Sequence, residues 1–322
     1  MNVVQRVLVG PAASEPATEG ETHPAQAPRR GWAGQLNSNV LLIVLVADLV
    51  LVLLGQFALG AHLLGRSSLS TVTPVLGVLI LMSLAQGIVI GTGGIDLSIP
   101  ANVTLTGTIV LKASGGTNGG LTKAIVIALV ACLAIGFVNG TLVEVFGLNA
   151  LVVTLATGQL IAGVLRLYRG PVPSVSQVPP ALGTFAGHHY GGISLILFLA
   201  LAGLVVTWAV LNLTVAGRKL VASSASGRAA RLAGMPSIAY RIGAWMLASL
   251  VVGVGAVLLS GQVGSPDLTL GDPYLLATVV AVVLGGAVLT GGRVSPAGIA
   301  LGAVFIAALD QVLTVRGYST GV

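Results

Sequence analysis

Repeated long apolar runs constrain the fold of this chain most strongly, because each is long enough to cross a lipid bilayer as a helix. A crossing needs about 20 apolar residues. None of the runs shows the alternating pattern of about ten residues that marks the strands of a membrane barrel. The expected fold class is therefore all-α, a polytopic membrane helical bundle of about nine spans. The spans are placed near 39–59, 70–90, 96–112, 123–144, 149–168, 193–213, 242–262, 273–290 and 296–315.

The composition agrees with a membrane protein and excludes a soluble domain of this size. Of the 322 residues, 55% are hydrophobic and 7% are charged, which is too little charge to cover a soluble surface. The 45 glycines are typical of helices that pack closely through small residues. The net charge of +6 comes from segments between apolar runs, so the expected partner is the lipid bilayer and not nucleic acid. One cysteine, Cys132, permits no internal disulfide.

A basic segment orients the spans. Residues 214–241, TVAGRKLVASSASGRAARLAGMPSIAYR, carry five of the 15 Lys and Arg residues and no Asp or Glu. A short basic loop between two spans is typical of the cytoplasmic face. With the N-terminus inside, six spans return the chain to the cytoplasm at Thr214, so span count and charge agree. We expect a cytoplasmic partner to dock on this loop. The same parity places the loop 170–192, with His188 and His189, outside.

The chain divides into two regions. Residues 1–37 are rich in Pro, Ala, Glu and Thr, which predicts a disordered cytoplasmic tail. Residues 38–322 form the expected membrane domain, and nine spans would place its C-terminus outside.

Two glycine-rich stretches resemble each other. Val89–Thr106 and Gly285–Ala300 each contain a Gly pair, a short polar link, Ser and Pro, followed by a new span. They are candidates for corresponding elements of a parallel internal repeat. A Gly-rich break at membrane depth is tolerated only where its backbone is buried in protein or lines a water-filled cavity.

Asp96 is the acidic residue with the strongest claim to a role. It lies in GGIDLS at the start of a predicted span, where an aspartate caps free backbone N–H groups. The alternative is a polar group on a transport path, because ionisable residues inside a membrane are functional candidates by default. Asp48, Glu144 and Asp310 are too scattered in sequence to indicate a proton relay.

Neutral polar residues also fall inside apolar runs, namely Gln86, Asn139, Thr154, Thr157 and Gln159. Such residues commonly join helices through hydrogen bonds. A path for a hydroxyl-rich solute would need the same groups. We therefore expect the path, if these residues form one, to comprise Gln86, Asp96, Asn139, Thr154 and Thr157. The predominance of neutral over paired charged groups favours a mechanism without ion coupling.

The sequence has no signature of a catalytic, metal or nucleotide site. GxxxxGK[ST], HExxH and GxSxG are all absent. We expect the chain not to be an enzyme and to bind no cofactor. If ATP drives its function, the ATPase is another polypeptide.

Five motifs in order carry a family resemblance: GTGGIDLSIPANVTLTG at 91–107, the NG within 138–140, LVVTLATGQLIAG at 151–163, GRAARLAGMP at 227–236 and VVAVVLGGAVLTGGRVSPAGIALGA at 279–303. Together they resemble the permease subunit of bacterial ABC importers of the ribose, xylose and autoinducer-2 type, which is related more distantly to branched-chain amino-acid permeases. The resemblance runs from about Leu41 to the end of the chain.

The resemblance implies a bacterial inner (plasma) membrane location and three kinds of partner. They are a second permease copy, identical or not, two cytoplasmic ATP-binding cassette subunits, and an extracytoplasmic solute-binding protein. Residues 225–236 look like the segment that seats in a groove of the ATPase. The coupling residues expected on this basis are Arg218, Lys219, Ser226, Arg228, Arg231 and Met235.

The chain departs from the family pattern at three places. Arg228 stands where many relatives have an acidic or neutral residue, and Ala162-Gly163 stands where many relatives have an Arg-Gly pair. If that arginine has a role in relatives, this chain either lacks it or uses Arg166 or Arg169 instead. Relatives usually continue past Gly317–Tyr318 into a tenth span. Truncation is our first interpretation, and a natural nine-span variant is the second.

The expected function is that of an ABC importer permease for a monosaccharide or similar small polar solute. The alternatives are an ABC permease for amino acids, an ion-coupled secondary transporter and a non-transporting membrane scaffold.

Overall fold

The computed structural model describes residues 32–58, 65–169, 177–225, 234–292 and 294–317, and this part of the chain is almost entirely helical. A two-stranded antiparallel hairpin of β1 (His189–Tyr190) and β2 (Ile193–Ser194) lies between α6 and α7. The helices are α1 (Trp32–Leu53, continued by a π-helical turn at Leu54–Ala58), α2 (Arg66–Gly91), α3 (Ile99–Ala113), α4 (Asn118–Glu144), α5 (Ala150–Arg169), α6 (Pro180–Ala186), α7 (Leu195–Leu213), α8 (Val215–Ala225), α9 (Ser237–Val263), α10 (Tyr274–Leu284) and α11 (Pro296–Val315).

Seven of the described helices, α1, α2, α4, α5, α7, α9 and α11, are long and apolar enough to cross a membrane. The predictions of an all-α polytopic fold and of a multi-pass membrane protein are confirmed. Two further predicted spans correspond to α3 and α10, which have 15 and 11 residues. At 1.5 Å per residue these helices are about 22 and 16 Å long, shorter than a hydrocarbon core.

Two of the predicted boundaries differ from the structure by six residues or more. α10 ends at Leu284, six residues before the predicted end of its span, because Gly286 adopts a positive φ of 84° and turns the chain out of the helix. α1 begins at Trp32, within the predicted N-terminal tail. Residues 1–31 of that tail lie outside the described residues.

α2 and α9 form the centre of the bundle. α2 packs against α7, α9, α10 and α11, and α9 also packs against α3 and α4. Glycine permits the close approach of α4 and α9, since a Cβ atom at Gly136 would lie 2.6 Å from the carbonyl oxygen of Trp245. The outer helices α1, α5 and α7 instead expose Leu and Val side chains, as a lipid-facing surface requires.

The outer end of the bundle is closed by the α6–hairpin segment. The ring nitrogens of His189 lie 2.7 Å from the Gly187 carbonyl oxygen and 3.1 Å from that of Ser70 at the start of α2. The backbone N–H of Val178 donates to the Gly264 carbonyl oxygen after α9 at 2.9 Å. The predicted external loop therefore contains ordered elements that tie α2 and α9 together. Residues 170–176 of that loop lie outside the described part.

Candidate functional site

The two glycine-rich stretches identified in the sequence meet where α2 and α10 end and α3 and α11 begin. We call residues 92–98 the first break and residues 285–295 the second break. The backbone N–H of Gly292 donates to the Gly91 carbonyl oxygen at 3.0 Å. A Cβ atom at Gly291 would lie 2.9 Å from the backbone nitrogen of Gly93, and both residues have φ near +90°. Only glycine fits this contact without strain.

The breaks occupy equivalent places in two helix pairs. With the N-terminus inside, α2 and α10 run toward the cytoplasm, and α3 and α11 run back outward. Each outward helix follows a serine, Ser98 or Ser295, and carries proline in its first turn, at Pro100 or Pro296. Proline is tolerated there because the first N–H groups of a helix have no intrahelical acceptor. This arrangement supports the interpretation of an internal repeat.

Three of the predicted path residues, Asp96, Asn139 and Thr157, join in one buried network through Ser98. One carboxylate oxygen of Asp96 accepts hydrogen bonds from the Ser98 backbone N–H at 2.8 Å and from its hydroxyl at 2.6 Å. The Asn139 amide nitrogen donates to Ser98 Oγ at 3.0 Å. The Asn139 amide oxygen accepts from Thr157 Oγ1 at 2.8 Å. The network thus connects the first break to α4 and α5.

A fourth predicted residue, Thr154, contacts the backbone of the same break through its side-chain hydroxyl. Its hydroxyl accepts from the Leu97 N–H at 2.9 Å and lies 3.2 Å from the Ile95 carbonyl oxygen and 2.8 Å from that of Ala150. The polar side chains of the network therefore bind one another or backbone. Their geometry is that of an interhelical contact that fixes the break.

The structure corrects the position expected for Asp96. α3 begins at Ile99 and its N-cap residue is Ser98, so Asp96 lies two residues before the cap. Its carboxylate stabilises the turn that enters the helix, because it accepts the N–H of the cap residue itself.

Gln86 is separate from this network. It lies fully buried in α2, and neither its amide nitrogen nor its amide oxygen has a hydrogen-bond partner in the described structure. The structure thus joins four of the five predicted path residues and leaves Gln86 outside.

An ion pair between the C-terminal end of α4 and the N-terminal end of α9 lies directly beside the first break. Arg241 Nε lies 2.7 Å from Glu144 Oε2, and Arg241 Nη2 donates to the Thr92 carbonyl oxygen at 2.7 Å. Trp245 Nε1 lies 3.3 Å from Glu144 Oε1, and the Trp245 ring packs where a Cβ atom at Gly94 would be. The sequence analysis did not predict this pair, because it placed Arg241 in the basic loop and treated Glu144 as one of several acidic residues far apart in sequence.

The basic segment is partly helical. Residues 215–225 form α8, and Arg241 belongs to α9, so the predicted loop 214–241 is shorter than expected. The Arg218 guanidinium donates to the carbonyl oxygens of Leu213 at 3.0 Å and Asn212 at 3.3 Å, and satisfies the end of α7. Lys219 Nζ lies 5.6 Å from the centre of the Tyr240 ring.

The other predicted coupling residues lie within residues 226–233, which are outside the described part of the chain, or just after them. Met235 is half-buried just before α9 and accepts the Ser237 N–H at its carbonyl oxygen. Ser226, Arg228 and Arg231 lie outside the described residues.

One cavity reaches the first break, and another reaches the second break and the end of α2. The inner cavity, of about 470 Å³, lies between α2, α7, α8 and the second break, beside the basic segment predicted to face the cytoplasm, and its wall is largely apolar. Arg218 and Asn212 line it where α7 meets α8, and Gly91, Gly292 and Val294 line it near the breaks.

The outer cavity, of about 350 Å³, lies between α3, α5 and the segment that leads into α10. Leu97 and Pro100 line it at the first break. Its polar lining residues are Thr104, Gln159, Arg166, Thr269 and Asp272. Sequence reasoning had noted Gln159 among the polar residues of the spans and Arg166 as a substitute arginine, without placing them together.

Comparison with known proteins gives consistent results. Residues 68–320 match the family described as branched-chain amino acid transport system / permease component. The autoinducer 2 import system permease protein LsrD of Photorhabdus laumondii is 31% identical over 74% of this chain and 72% of its own length. The L-arabinose ABC transporter permease protein AraH of Azospirillum brasilense is 28% identical over 96% of this chain and 89% of its own.

A probable ABC transporter permease protein, y4mJ of Sinorhizobium fredii, is 33% identical over 75% of this chain and 72% of its own length. No solved structure matches the chain. The resemblance to ABC importer permeases drawn from the sequence motifs is confirmed. The chain belongs to the family of membrane permease components of the branched-chain amino acid transport system type.

Proposed function

We propose that the protein is the membrane-spanning subunit of an ABC importer that takes up a monosaccharide or a similar small polar solute. The observation that carries this proposal is that each break has a cavity beside it: the outer cavity reaches the first break, and the inner cavity reaches the second break and the end of α2. Leu97 lines the outer cavity and Gly91 lines the inner one, six residues away across the first break. A thin barrier with a cavity on each side is what alternating access requires.

The energy source in this proposal is ATP hydrolysed by a separate cassette subunit. The cassette docks at the cytoplasmic segment between α8 and α9. Arg241 follows this segment and contacts the first break through Thr92, so a movement of the segment reaches the barrier directly. An extracytoplasmic solute-binding protein delivers solute to the opposite face, and a second permease copy completes the membrane unit.

The solute class follows from two observations. The relatives are named for L-arabinose and autoinducer 2. The acids of the membrane helices show no hydrogen-bonded relay in the described structure, since Glu144 is paired with Arg241 and neither carboxylate oxygen of Asp48 has a hydrogen-bond partner. Both observations favour import of a neutral hydroxyl-rich solute over ion-coupled transport.

Uptake assays in cells test this proposal. A strain without the gene is compared with the restored strain for uptake of radiolabelled L-arabinose, D-ribose, D-xylose and leucine. We expect one monosaccharide to require the gene, with uptake abolished by arsenate, which depletes ATP, and retained with an uncoupler in fermenting cells. Uptake that fails with the uncoupler alone would indicate a secondary transporter. Gene-dependent uptake of leucine instead of a sugar would indicate an amino-acid permease.

A further inference from the structure

We propose that Gln159 and Arg166 on α5 and Asp272 before α10 form the solute-binding wall of the outer cavity, and that this cavity is filled with water when empty. The chemical class of ligand is a neutral, hydroxyl-rich solute. The solute class rests on the proposed function, whereas the water-filled wall rests on the geometry of α5 and of the outer cavity.

One face of α5 lines the outer cavity along the outer part of the helix. Leu155, Gln159, Ala162 and Arg166 follow one another at intervals of three and four residues and all line the cavity. They extend over about 16 Å at 1.5 Å per residue. Gln159 is the tenth of the 20 residues of α5, so it lies near the middle of the membrane.

The exposure of Gln159 distinguishes this face from a lipid-facing one. Its side chain is exposed and makes no hydrogen bond within the described residues. An amide in contact with hydrocarbon would lose its hydrogen bonds at a cost of several kcal/mol. Leu160 and Val164, on the neighbouring face of the same helix, are 68% and 54% exposed and apolar, as lipid contact requires. Gln159 therefore faces water.

Two opposite charges stand at the outer end of the same wall. Arg166 lies near the end of α5 and Asp272 in the external segment before α10, and both side chains are exposed. They make no ion pair with each other in the described structure. Their charges cancel, so the wall favours neither cations nor anions. An amide, a guanidinium and a carboxylate together offer donors and acceptors, and a sugar hydroxyl can use both.

The size and floor of the cavity suit a small solute. Its volume of about 350 Å³ falls in the usual range of small-molecule sites. Leu97, Pro100 and Leu155 give it an apolar floor at the first break. A solute held by the polar wall would therefore rest against the barrier that separates it from the inner cavity.

Cysteine accessibility tests the water-filled wall without knowledge of the solute. The native Cys132 is buried and is replaced by alanine to give a cysteine-free background. Gln159→Cys and Leu160→Cys variants in intact cells are then treated with a membrane-impermeant methanethiosulfonate that carries a sulfonate. We expect Gln159→Cys to react at least about ten-fold faster than Leu160→Cys, because thiol modification by a charged reagent needs water.

Two outcomes of the labelling would overturn the proposal. One is equal reaction at both positions. The other is a Gln159→Cys variant that resists the reagent but forms a disulfide-linked dimer, since the α5 face would then be a protein interface.

Uptake then tests the solute class. Gln159→Leu and Asp272→Asn should each lower monosaccharide uptake at least about ten-fold while the cassette subunit still co-purifies, and Leu160→Ala should leave uptake unchanged. Unchanged uptake in both polar-wall variants would overturn the binding wall and leave the importer function standing. The solutes are also added during labelling of Gln159→Cys. If leucine slows the labelling and a monosaccharide does not, the hydroxyl-rich ligand class is overturned.

Discussion

Arg241 Nε lies 2.7 Å from Glu144 Oε2, and the same guanidinium donates to the Thr92 carbonyl oxygen at 2.7 Å. One side chain thus joins the inner end of α4, the start of α9 and the first break. Arg241 lies only six residues after Met235, at the end of the segment that we expect to contact the ATPase. It connects the end of that segment to the barrier.

Loss of the positive charge at Arg241 should destabilise the protein. The side chain of Glu144 is 6% exposed, so Arg241→Gln would leave a buried carboxylate without its cation, at a cost of about 3–5 kcal/mol. We expect a lower unfolding temperature in detergent and a lower yield of monodisperse protein.

Two further variants show whether this loss reflects the ion pair. Lys123→Gln, at an exposed position near the start of α4, removes one positive charge and should leave the unfolding temperature unchanged. The double variant Arg241→Gln with Glu144→Gln should recover part of the loss. If the double variant is as unstable as the sum of the single ones, the pair does not stabilise the fold.

The contact between the two breaks should tolerate no side chain. Gly291→Ala places a methyl group 2.9 Å from the Gly93 nitrogen at a residue with φ of 92°, and should cost about 1–3 kcal/mol. Gly163→Ala is the matched control, because this glycine lies in α5 with open space around it. Alanine there should be neutral or stabilise the helix by up to about 1 kcal/mol. Equal unfolding temperatures for the two variants would contradict the close contact.

The Asn139 network should contribute stability through both atoms of its amide. Asn139→Ala leaves Ser98 and Thr157 each without one partner, and should lower the free energy of unfolding by about 1–3 kcal/mol. Thr157→Val removes one of the two hydrogen bonds and should cost less. Thermal unfolding of the single and double variants measures the coupling, and additive effects would show that the hydrogen bond between these side chains contributes nothing.

Reversal of charge in the cytoplasmic segment should uncouple transport. Arg228→Glu combined with Arg231→Glu is expected to reduce ATP-driven uptake strongly and to leave membrane insertion intact, because the cassette would lose its docking charges. Lys112→Glu, at the outer end of α3, is the control on the opposite face of the membrane. Undiminished uptake in the double variant would remove the segment from the coupling mechanism.

The sequence predicts the membrane architecture well because apolar runs determine it locally. The span 296–315 matches α11 at both ends, and the two glycine-rich stretches prove to be breaks between helices. Their likeness in sequence also anticipates their equivalent places in the fold. Such features depend on residues that are neighbours along the chain.

Features that depend on distant residues could not be predicted in the same way. The local sequence around Asp96 does not show whether its carboxylate contacts solute or Ser98. The structure shows that Asp96 accepts a hydrogen bond from Ser98, which in turn accepts one from Asn139 of α4. Glu144 and Arg241 are separated by 97 positions, and no local pattern announces that they pair. The residues of α5 that line the outer cavity are spaced at helical intervals, which the sequence shows. Asp272, which lines the same cavity, comes from a segment more than 100 residues later, so its place there could not be predicted.

Co-purification tests the central claim most directly. The tagged protein is solubilised from native membranes in mild detergent after crosslinking at the segment between α8 and α9, and its partners are identified by mass spectrometry. We expect an ATP-binding cassette protein to be recovered, and an extracytoplasmic solute-binding protein with it. A permease that emerges alone, with no cassette even after crosslinking, would contradict the assignment as an ABC importer subunit.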